Sequence, residues 1–219
     1  MINSNSGFWR RAAVALAVSV TGLTLSAVNA DEPTWAAGGG RLEVTSTTFT
    51  ENGPLPDAVI YNYLANGLNI CTANGAAGGD HSPELQWSHV PHNTRSFVVV
   101  LYDTTAAFTH WGIYNVAADV RELPEGAGAA DSKYGGQINN DFGDPNYDGP
   151  CPPAGVAPDA HHYVFTVYAL DTQIKVSSLA NFPANAETLY HALIRAGRDG
   201  HILASGSLAT YYSATPPSG

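Results

Sequence analysis

Positive charge is scarce in this chain of 219 residues. Nine lysines and arginines stand against 19 aspartates and glutamates, so the formal net charge at pH 7 is −10. Proteins that bind nucleic acids depend on Lys and Arg contacts to phosphates, and anionic membrane surfaces attract clusters of the same residues. The composition therefore argues against a nucleic-acid partner and against recruitment to an anionic membrane surface.

Cysteine is also scarce, since Cys71 and Cys151 are the two cysteines of the chain. They do not form a CxxC pair, the spacing that is typical of cysteine-rich zinc sites. In an oxidising compartment two distant cysteines are more often bridged than free, so we expect a Cys71–Cys151 disulfide. The alternative left open is a metal site that combines these cysteines with nearby histidines.

Apolar runs long enough to span a bilayer are missing as well. A largely apolar stretch from Ala12 to Leu25 follows Arg10 and Arg11 and leads into small residues at 27–30. This order of charged, apolar and small residues predicts a signal peptide over residues 1–30, with a buried or membrane-spanning helix as the alternative. We therefore expect an exported protein, periplasmic or secreted, whose mature chain does not span a membrane.

The chain beyond residue 30 has a size typical of one domain. Subtracting 30 residues from 219 leaves 189, and the formal charge moves from −10 to −12 because two arginines and no acid are removed. Residues 31–40 are small and glycine-rich, which predicts a flexible leader. We expect a single domain over residues 41–213 and a tail over residues 214–219.

Strand-like segments dominate the mature chain. Continuous runs of β-branched, aromatic and aliphatic residues predict strands at 96–103, 111–116 and 163–170, the first of them buried on both faces. Alternating patterns predict further strands near residues 41–49 and over residues 202–212.

A single helix is predicted near the C-terminus, and a long loop over the glycine-rich residues 66–83. Asn185 suits a helix N-cap. Four apolar residues after it share one helical face: Leu189, Ala192, Leu193 and Ala196. Because strands do not alternate with helices, the pattern favours a mostly β protein, a β-sandwich of mixed or antiparallel sheets with a C-terminal helix.

A first candidate for binding chemistry lies where the strand 96–103 ends. Asp103 closes this strand and His110 follows seven residues later at the start of the next strand, so the two side chains are expected to face one cavity. The alternative is structural, with Asp103 capping a turn and His110 as a hydrogen-bonded core histidine.

A second candidate is a segment rich in glycine and proline that precedes two histidines and a tyrosine. It consists of Gly149, Pro150, Pro152 and Pro153, followed by His161, His162 and Tyr163. Glycine allows close backbone approach, and proline stiffens a loop. Backbone amides and imidazoles can donate to phosphate or carboxylate oxygens. The segment therefore predicts one wall of a small-anion site, an ordinary rigid turn being the alternative.

Five blocks in a fixed order extend these two segments into a family pattern. The blocks are Ser82 to Trp87 with Val90 and Pro91; the strand ending at Asp103; His110 to Asn115; Leu123 to Gly126; and Asp141 to Gly143, Asp148 to Pro153 and His161 to Asp171. In these blocks the chain resembles the phosphatidylethanolamine-binding protein (PEBP) family, in particular its bacterial Raf-kinase-inhibitor-like branch.

The resemblance implies a β-sandwich whose pocket opens at the sheet ends and binds phosphate-like or carboxylate-like groups, with no cofactor. The implied ligand-binding residues are Asp103, His110, Gly149, Pro150, Pro152, Pro153, His161 and Tyr163. One segment departs from the family, which usually continues its aspartate as Asp-Pro-Asp-Ala-Pro. Here Thr104 to Ala107 follow, so the resemblance predicts a looser or wider rim.

Four functions compete at this stage. The favoured one is a non-catalytic binding protein for a small anionic ligand such as a phosphate, carboxylate or phospholipid head group. A second docks a protein partner through the same pocket. An enzyme would use a histidine oriented by Asp103, but the sequence has no Gly-x-Ser-x-Gly turn and Ser82 precedes a proline. A metal site using His89 with His92, or one of the adjacent pair His161 and His162, would lack a familiar spacing, and none is predicted.

Overall fold

Residues 40–176 and 183–216 are described in a computed structural model of the protein, and strands account for most of their regular structure. The predicted signal peptide and residues 31–39 of the leader lie outside this part of the chain. The elements are β1 Gly40–Arg41, β2 Glu43–Thr45, β3 Leu64–Ala65, β4 Leu68–Asn69, β5 Leu85–Ser88, β6 Ser96–Asp103, β7 Phe108–Ala117, β8 Glu122–Leu123, β9 Gly136–Gln137, β10 His161–Leu170, α1 Ala186–Arg198 and β11 Ile202–Tyr212.

A six-stranded sheet in the order β1-β11-β10-β6-β7-β9 forms the body of the molecule. The β1–β11 pair is parallel and the other neighbours are antiparallel. An antiparallel three-stranded sheet, β2-β5-β8, covers one face, and α1 covers the other. The predicted fold class, a mixed and antiparallel β-sandwich with a C-terminal helix, is confirmed.

The apolar run in β6 is buried on both faces, as the sequence predicts. Phe97, Val99 and Leu101 pack into the core between the two sheets. Val98 and Val100 point the opposite way and pack against α1. The alternation arises because successive side chains of a strand face opposite sides of the sheet. β6 is therefore packed on both faces along the strand that ends at Asp103.

The helix begins where its sequence predicts. Asn185 accepts a hydrogen bond from the Thr188 backbone N–H, and the Thr188 hydroxyl accepts one from the Asn185 N–H, which completes a capping box. The predicted apolar stripe is buried against the six-stranded sheet. At 13 residues, α1 is too short to cross a bilayer, and no other stretch within the described ranges forms a helix that could.

The structure changes several boundaries expected from the sequence. The strand predicted near residues 41–49 is two short strands, β1 and β2, because Leu42 separates the residues that join different sheets. Gly40, placed in the leader, pairs with Ala204. The predicted loop 66–83 contains β4. At the C-terminus Ala214 is buried, so the start of the predicted tail packs against the domain.

The disulfide predicted between Cys71 and Cys151 is present, with a Cα–Cα distance of 4.5 Å. It joins the segment after β4 to the glycine-proline loop across 80 residues of sequence. The Tyr212 hydroxyl donates to the Cys71 carbonyl at 2.9 Å, so the last strand also contacts this junction.

Candidate functional site

Asp103 and His161 form a buried pair at one end of the six-stranded sheet. The Nδ1 atom of His161 lies 2.6 Å from Oδ2 of Asp103. The pair meets because Tyr163 lies opposite Asp103 in the β6–β10 ladder, which leaves His161 just beyond the end of β6. The other carboxylate oxygen, Oδ1, accepts from the backbone N–H groups of Thr105 and Ala106. Asp103 therefore both caps a turn and orients a histidine.

A β-bulge brings His110 to the same end of the sheet. Leu101 pairs with Trp111 and Tyr102 pairs with Thr109, so His110 is the extra residue on β7. A bulge rotates the side chain of the extra residue relative to regular alternation. The His110 ring lies edge-on to that of Tyr163, with 5.4 Å between ring centroids.

The hydrogen bond of His110 fixes its tautomer. Its Nδ1–H donates to the Asp148 carbonyl at 2.9 Å, and the ring is 3 % exposed. Burial lowers the pKa of His110 because it disfavours the charged ring. His110 is therefore a neutral ring at pH 7 whose remaining nitrogen, Nε2, accepts rather than donates.

Aromatic rings surround the two histidines. Tyr163 is fully buried between them, with its ring 6.4 Å from that of His161, and burial together with the Asp103 carboxylate raises the pKa of its hydroxyl. Phe142 packs edge-on against His110 at 5.5 Å and stacks on Tyr61 at 4.9 Å. Since Phe142 is partly exposed, it lies between the buried histidine and solvent.

The glycine-proline loop approaches the segment after the 3-10 turn at residues 57–59. A Cβ atom on Gly149 would lie 2.1 Å from the Val59 carbonyl oxygen, so only glycine fits there. Its N–H donates to Asp80 and is not available to a ligand. Pro150 and Pro152 are buried, whereas Pro153 is exposed. Pro153, which was predicted to form part of the pocket wall, therefore lies on the outside of the loop.

The segment that departs from the family, residues 104–107, is a tight turn. The Thr104 N–H donates to the His162 carbonyl at 2.9 Å, and the Thr105 hydroxyl accepts from the His162 N–H at 2.9 Å. Together with the two bonds to Asp103, these contacts tie the turn to β10. The turn is therefore held by hydrogen bonds rather than by prolines, and the looser or wider rim stays a prediction.

His162 lies outside the site, as expected for the neighbour of His161 on a strand. Its ring stacks on Tyr211 with centroids 4.5 Å apart, on the opposite face of β10 from His161. His89 is exposed beside Glu43. Among the described residues, no three His, Cys, Asp or Glu side chains are close enough together to hold a metal ion.

The nucleophiles considered from the sequence are engaged elsewhere. Ser82 is buried, and its hydroxyl oxygen accepts from the Gly128 N–H at 2.9 Å. Cys151 is in the disulfide. The Asp103–His161 pair has the geometry of an acid-base pair, but neither of these two nucleophile candidates is available to it.

A separate cavity of about 180 Å³ lies between α1 and the opposite face of the sheet. The accessible surface of its lining is almost entirely apolar and includes Tyr168, Leu193 and Ile202, with Arg198 as its one charged residue. It does not involve Asp103, His110 or His161.

Comparison with known proteins places this arrangement in a family. The family model described as phosphatidylethanolamine-binding protein matches residues 45–213. The chain belongs to that family. This match runs from the last residue of β2 to just beyond the end of β11 and includes every residue of the candidate site.

Relatives from bacteria and archaea agree with the assignment. UPF0098 protein YbcL of Escherichia coli is 39% identical over 128 residues, which cover 52% of this chain and 69% of YbcL. A UPF0098 protein of Methanothermobacter thermautotrophicus is 30% identical over 176 residues, covering 78% of this chain and 98% of that protein.

Two crystal structures of PEBP homologues are similar to the fold described above. That of E. coli YbcL, described as a new member of the mammalian PEBP family, has a TM-score of 0.62 at 29% identity and covers 80% of this chain and 99% of its own. That of Chlamydia trachomatis CT736 has a TM-score of 0.58 at 27% identity, with coverages of 79% and 97%.

Three residues near the site were not predicted from the sequence. Phe142 lies in one of the blocks that carry the resemblance, but the resemblance does not imply a place for it in the pocket. Tyr212 pairs with His161 in the β10–β11 ladder. Asp80, at the end of the predicted loop, reaches Gly149 across 69 positions. The block containing Phe142 was a usable signal, whereas no local pattern marks Asp80.

Proposed function

We propose that this PEBP-family chain is a non-catalytic binding protein for a small anion, a phosphate or carboxylate group, held between His110 and His161. The observation that carries the proposal is the hydrogen bonding of the two rings. Each Nδ1 atom is bound to the protein, to Asp103 for His161 and to the Asp148 carbonyl for His110. Each ring therefore has Nε2 left for a ligand.

The environments of the two rings differ, which favours particular ligands. His110 is neutral because burial lowers its pKa, so its Nε2 accepts from a ligand hydroxyl. His161 faces the Asp103 carboxylate, and a protonated His161 would donate from Nε2 to a ligand oxygen. A group that offers both a hydroxyl and a negatively charged oxygen, such as a singly protonated phosphate, satisfies both rings.

Calorimetry tests this proposal with phosphate, phosphoethanolamine and acetate as probes. We expect the wild-type protein to bind phosphate, and His161→Ala or His110→Ala to weaken binding about tenfold or more, since a lost hydrogen bond to a charged group costs about 1.5–3 kcal/mol. His92→Ala is the control, because His92 is an exposed histidine just before β6, at the end away from Asp103. No binding by the wild type, or binding by both site variants that is as tight as that of the wild type, would contradict the proposal.

We also propose that the protein is exported to a periplasm or to the medium. Export is supported by the signal-like pattern of residues 1–30 and by the Cys71–Cys151 disulfide, which persists in oxidising compartments. We expect N-terminal sequencing of the protein from cells to begin at Asp31. A chain that retains Met1 and stays in the cytosolic fraction would contradict export.

A second candidate, docking of a protein partner beside the pocket, is favoured by an exposed apolar hairpin. The hairpin β3–β4 carries Leu64 and Leu68, which are 59% and 61% exposed, and is flanked by Tyr63 and Ile70. The disulfide connects it to the glycine-proline loop. A partner captured from the periplasmic or culture fraction and released by phosphate would support this function over simple ligand binding.

A further inference from the structure

The cavity beside α1 is built from one face of that helix and from the sheet beneath it. On the helix, the lining residues are at positions 190, 193, 194, 197 and 198, the i, i+3, i+4, i+7, i+8 spacing of a single helical face. On the sheet, Tyr168 of β10 and Ile202 of β11 line it. Gly197 lies on this face and contributes no side chain, so the helix and the sheet are not in full contact there.

The volume of the cavity suits a small apolar group. At about 180 Å³ it is slightly larger than the roughly 150 Å³ that accommodates benzene in an engineered cavity lined by aliphatic and aromatic side chains. Its own lining is of the same kind, with Leu193 buried inside it. An apolar group of about six carbon atoms therefore fits this space.

Two exposed side chains, Ile194 and Arg198, mark where the cavity opens to solvent. Ile194 is 57% exposed, which leaves a large apolar side chain in contact with water. Arg198 is the one charged residue of the lining. The ion pairs within the described part of the chain all involve histidine, so Arg198 does not pair with an acid there. A ligand in the cavity would thus cover Ile194 and have a guanidinium beside its outer end.

The two tyrosines of the lining add no negative charge. Burial raises the pKa of Tyr190 to about 12 and also raises the pKa of Tyr168, so both hydroxyls keep their protons at neutral pH. The described lining therefore combines apolar surface with one positive charge, and no acid is part of it. This combination favours a ligand that is apolar at one end and anionic at the other.

We propose that this cavity binds a short aliphatic carboxylate, with the hydrocarbon tail between α1 and the sheet and the carboxylate beside Arg198. Sites for small ligands are typically concave and mostly apolar, with a few polar groups that fix the orientation of the ligand. A guanidinium suits this role because its N–H donors match the two oxygens of a carboxylate. The cavity shares no residue with the candidate anion site, so the inference does not depend on the proposed anion binding.

The length of the tail gives the first test, in which NMR follows the methyl signals of Leu193, Ile194 and Ile202 during titration of the wild type. We expect heptanoate, with six tail carbons, to shift these signals and to bind about fifteenfold more tightly than pentanoate, since each buried methylene contributes about fourfold. Decanoate should gain much less per added methylene, because the cavity is already full. No shift with heptanoate, or shifts confined to the signals of His110 and His161, would overturn the inference.

The second test is the charge of Arg198. Arg195→Gln is the matched control for Arg198→Gln, because Arg195 is also exposed near the end of α1 but does not line the cavity. We expect Arg198→Gln to weaken heptanoate binding about twofold to fivefold, the effect of an exposed ion pair, and to leave binding of heptan-1-ol unchanged. Arg195→Gln should change neither. Equal losses in the two variants, or heptan-1-ol binding to the wild type as tightly as heptanoate, would show that Arg198 does not hold the carboxylate.

The third test fills the cavity. Because Leu193 is buried in the lining, Leu193→Phe places extra carbon atoms in that space. We expect heptanoate to bind about tenfold or more weakly, as if two methylenes of the tail were excluded, with the fold checked by circular dichroism. Unchanged binding by the folded variant would overturn the inference, and if this variant does not fold, the tail-length series and the Arg198 comparison decide it.

A second copy of this chain is the other occupant to test. Sedimentation of the wild type without ligand should show a monomer whose Leu193 and Ile202 methyl signals do not change with protein concentration. A dimer whose formation shifts these signals, and which heptanoate does not dissociate, would show that the face beside α1 is an interface between copies and would overturn the inference.

Discussion

Replacing both cysteines, Cys71→Ser with Cys151→Ser, is expected to lower the free energy of unfolding by about 4 kcal/mol. The disulfide closes a loop of 80 residues, and releasing a loop of that length restores conformational entropy to the unfolded chain. Loss of the bridge should also affect the candidate site, because the bridge joins the exposed hairpin to the glycine-proline loop.

Urea unfolding of the wild type, the double variant and the reduced wild type measures this effect. The double variant and the reduced wild type should lose similar free energy, since both lack the same cross-link. A loss below about 1 kcal/mol in both would show that the bridge contributes little to stability, as happens when strain offsets the entropic gain. The slope of the denaturant dependence should rise, because an uncrosslinked chain exposes more surface.

The second large effect is expected from Gly149→Ala. The added Cβ would collide with the Val59 carbonyl oxygen at 2.1 Å and with the Tyr61 nitrogen at 2.7 Å. These are backbone atoms, which cannot move aside as a flexible side chain can, so the loop must shift. We expect a loss of about 3 kcal/mol in the free energy of unfolding, together with weaker phosphate binding as the wall moves away from His110.

Gly126→Ala provides a contrast to this collision. Gly126 has a φ of 76° and open space where a Cβ would lie. Its substitution should cost about 1 kcal/mol, the penalty for a left-handed alanine, without affecting phosphate affinity. Equal stability losses in the two variants would show that the approach of Gly149 to Val59 is not a tight one in solution.

The sequence alone was sufficient for the elements whose signals are local. The apolar run of β6 and the alternation of β11 have the predicted boundaries, and Asn185 is the predicted helix cap. The family followed from the order of several short blocks. The disulfide followed from having two cysteines in a chain expected to be exported. Each of these depends on neighbouring residues, on composition or on the order of short blocks along the chain, all of which can be read without coordinates.

The tertiary structure decided how the site is assembled. The bulge that re-aims His110 arises from pairing between β6 and β7, and the contact of Asp80 with Gly149 crosses 69 positions. The pairing of β2, β5 and β8 joins strands of two to four residues that carry little signal of their own. Strand register and long-range contacts depend on the packing of the whole chain, whereas hydrophobic periodicity reports only which face of an element is buried. Asp103, His110 and His161 could therefore be named in advance as candidates, but the hydrogen bonds that leave one nitrogen of each histidine for a ligand could not.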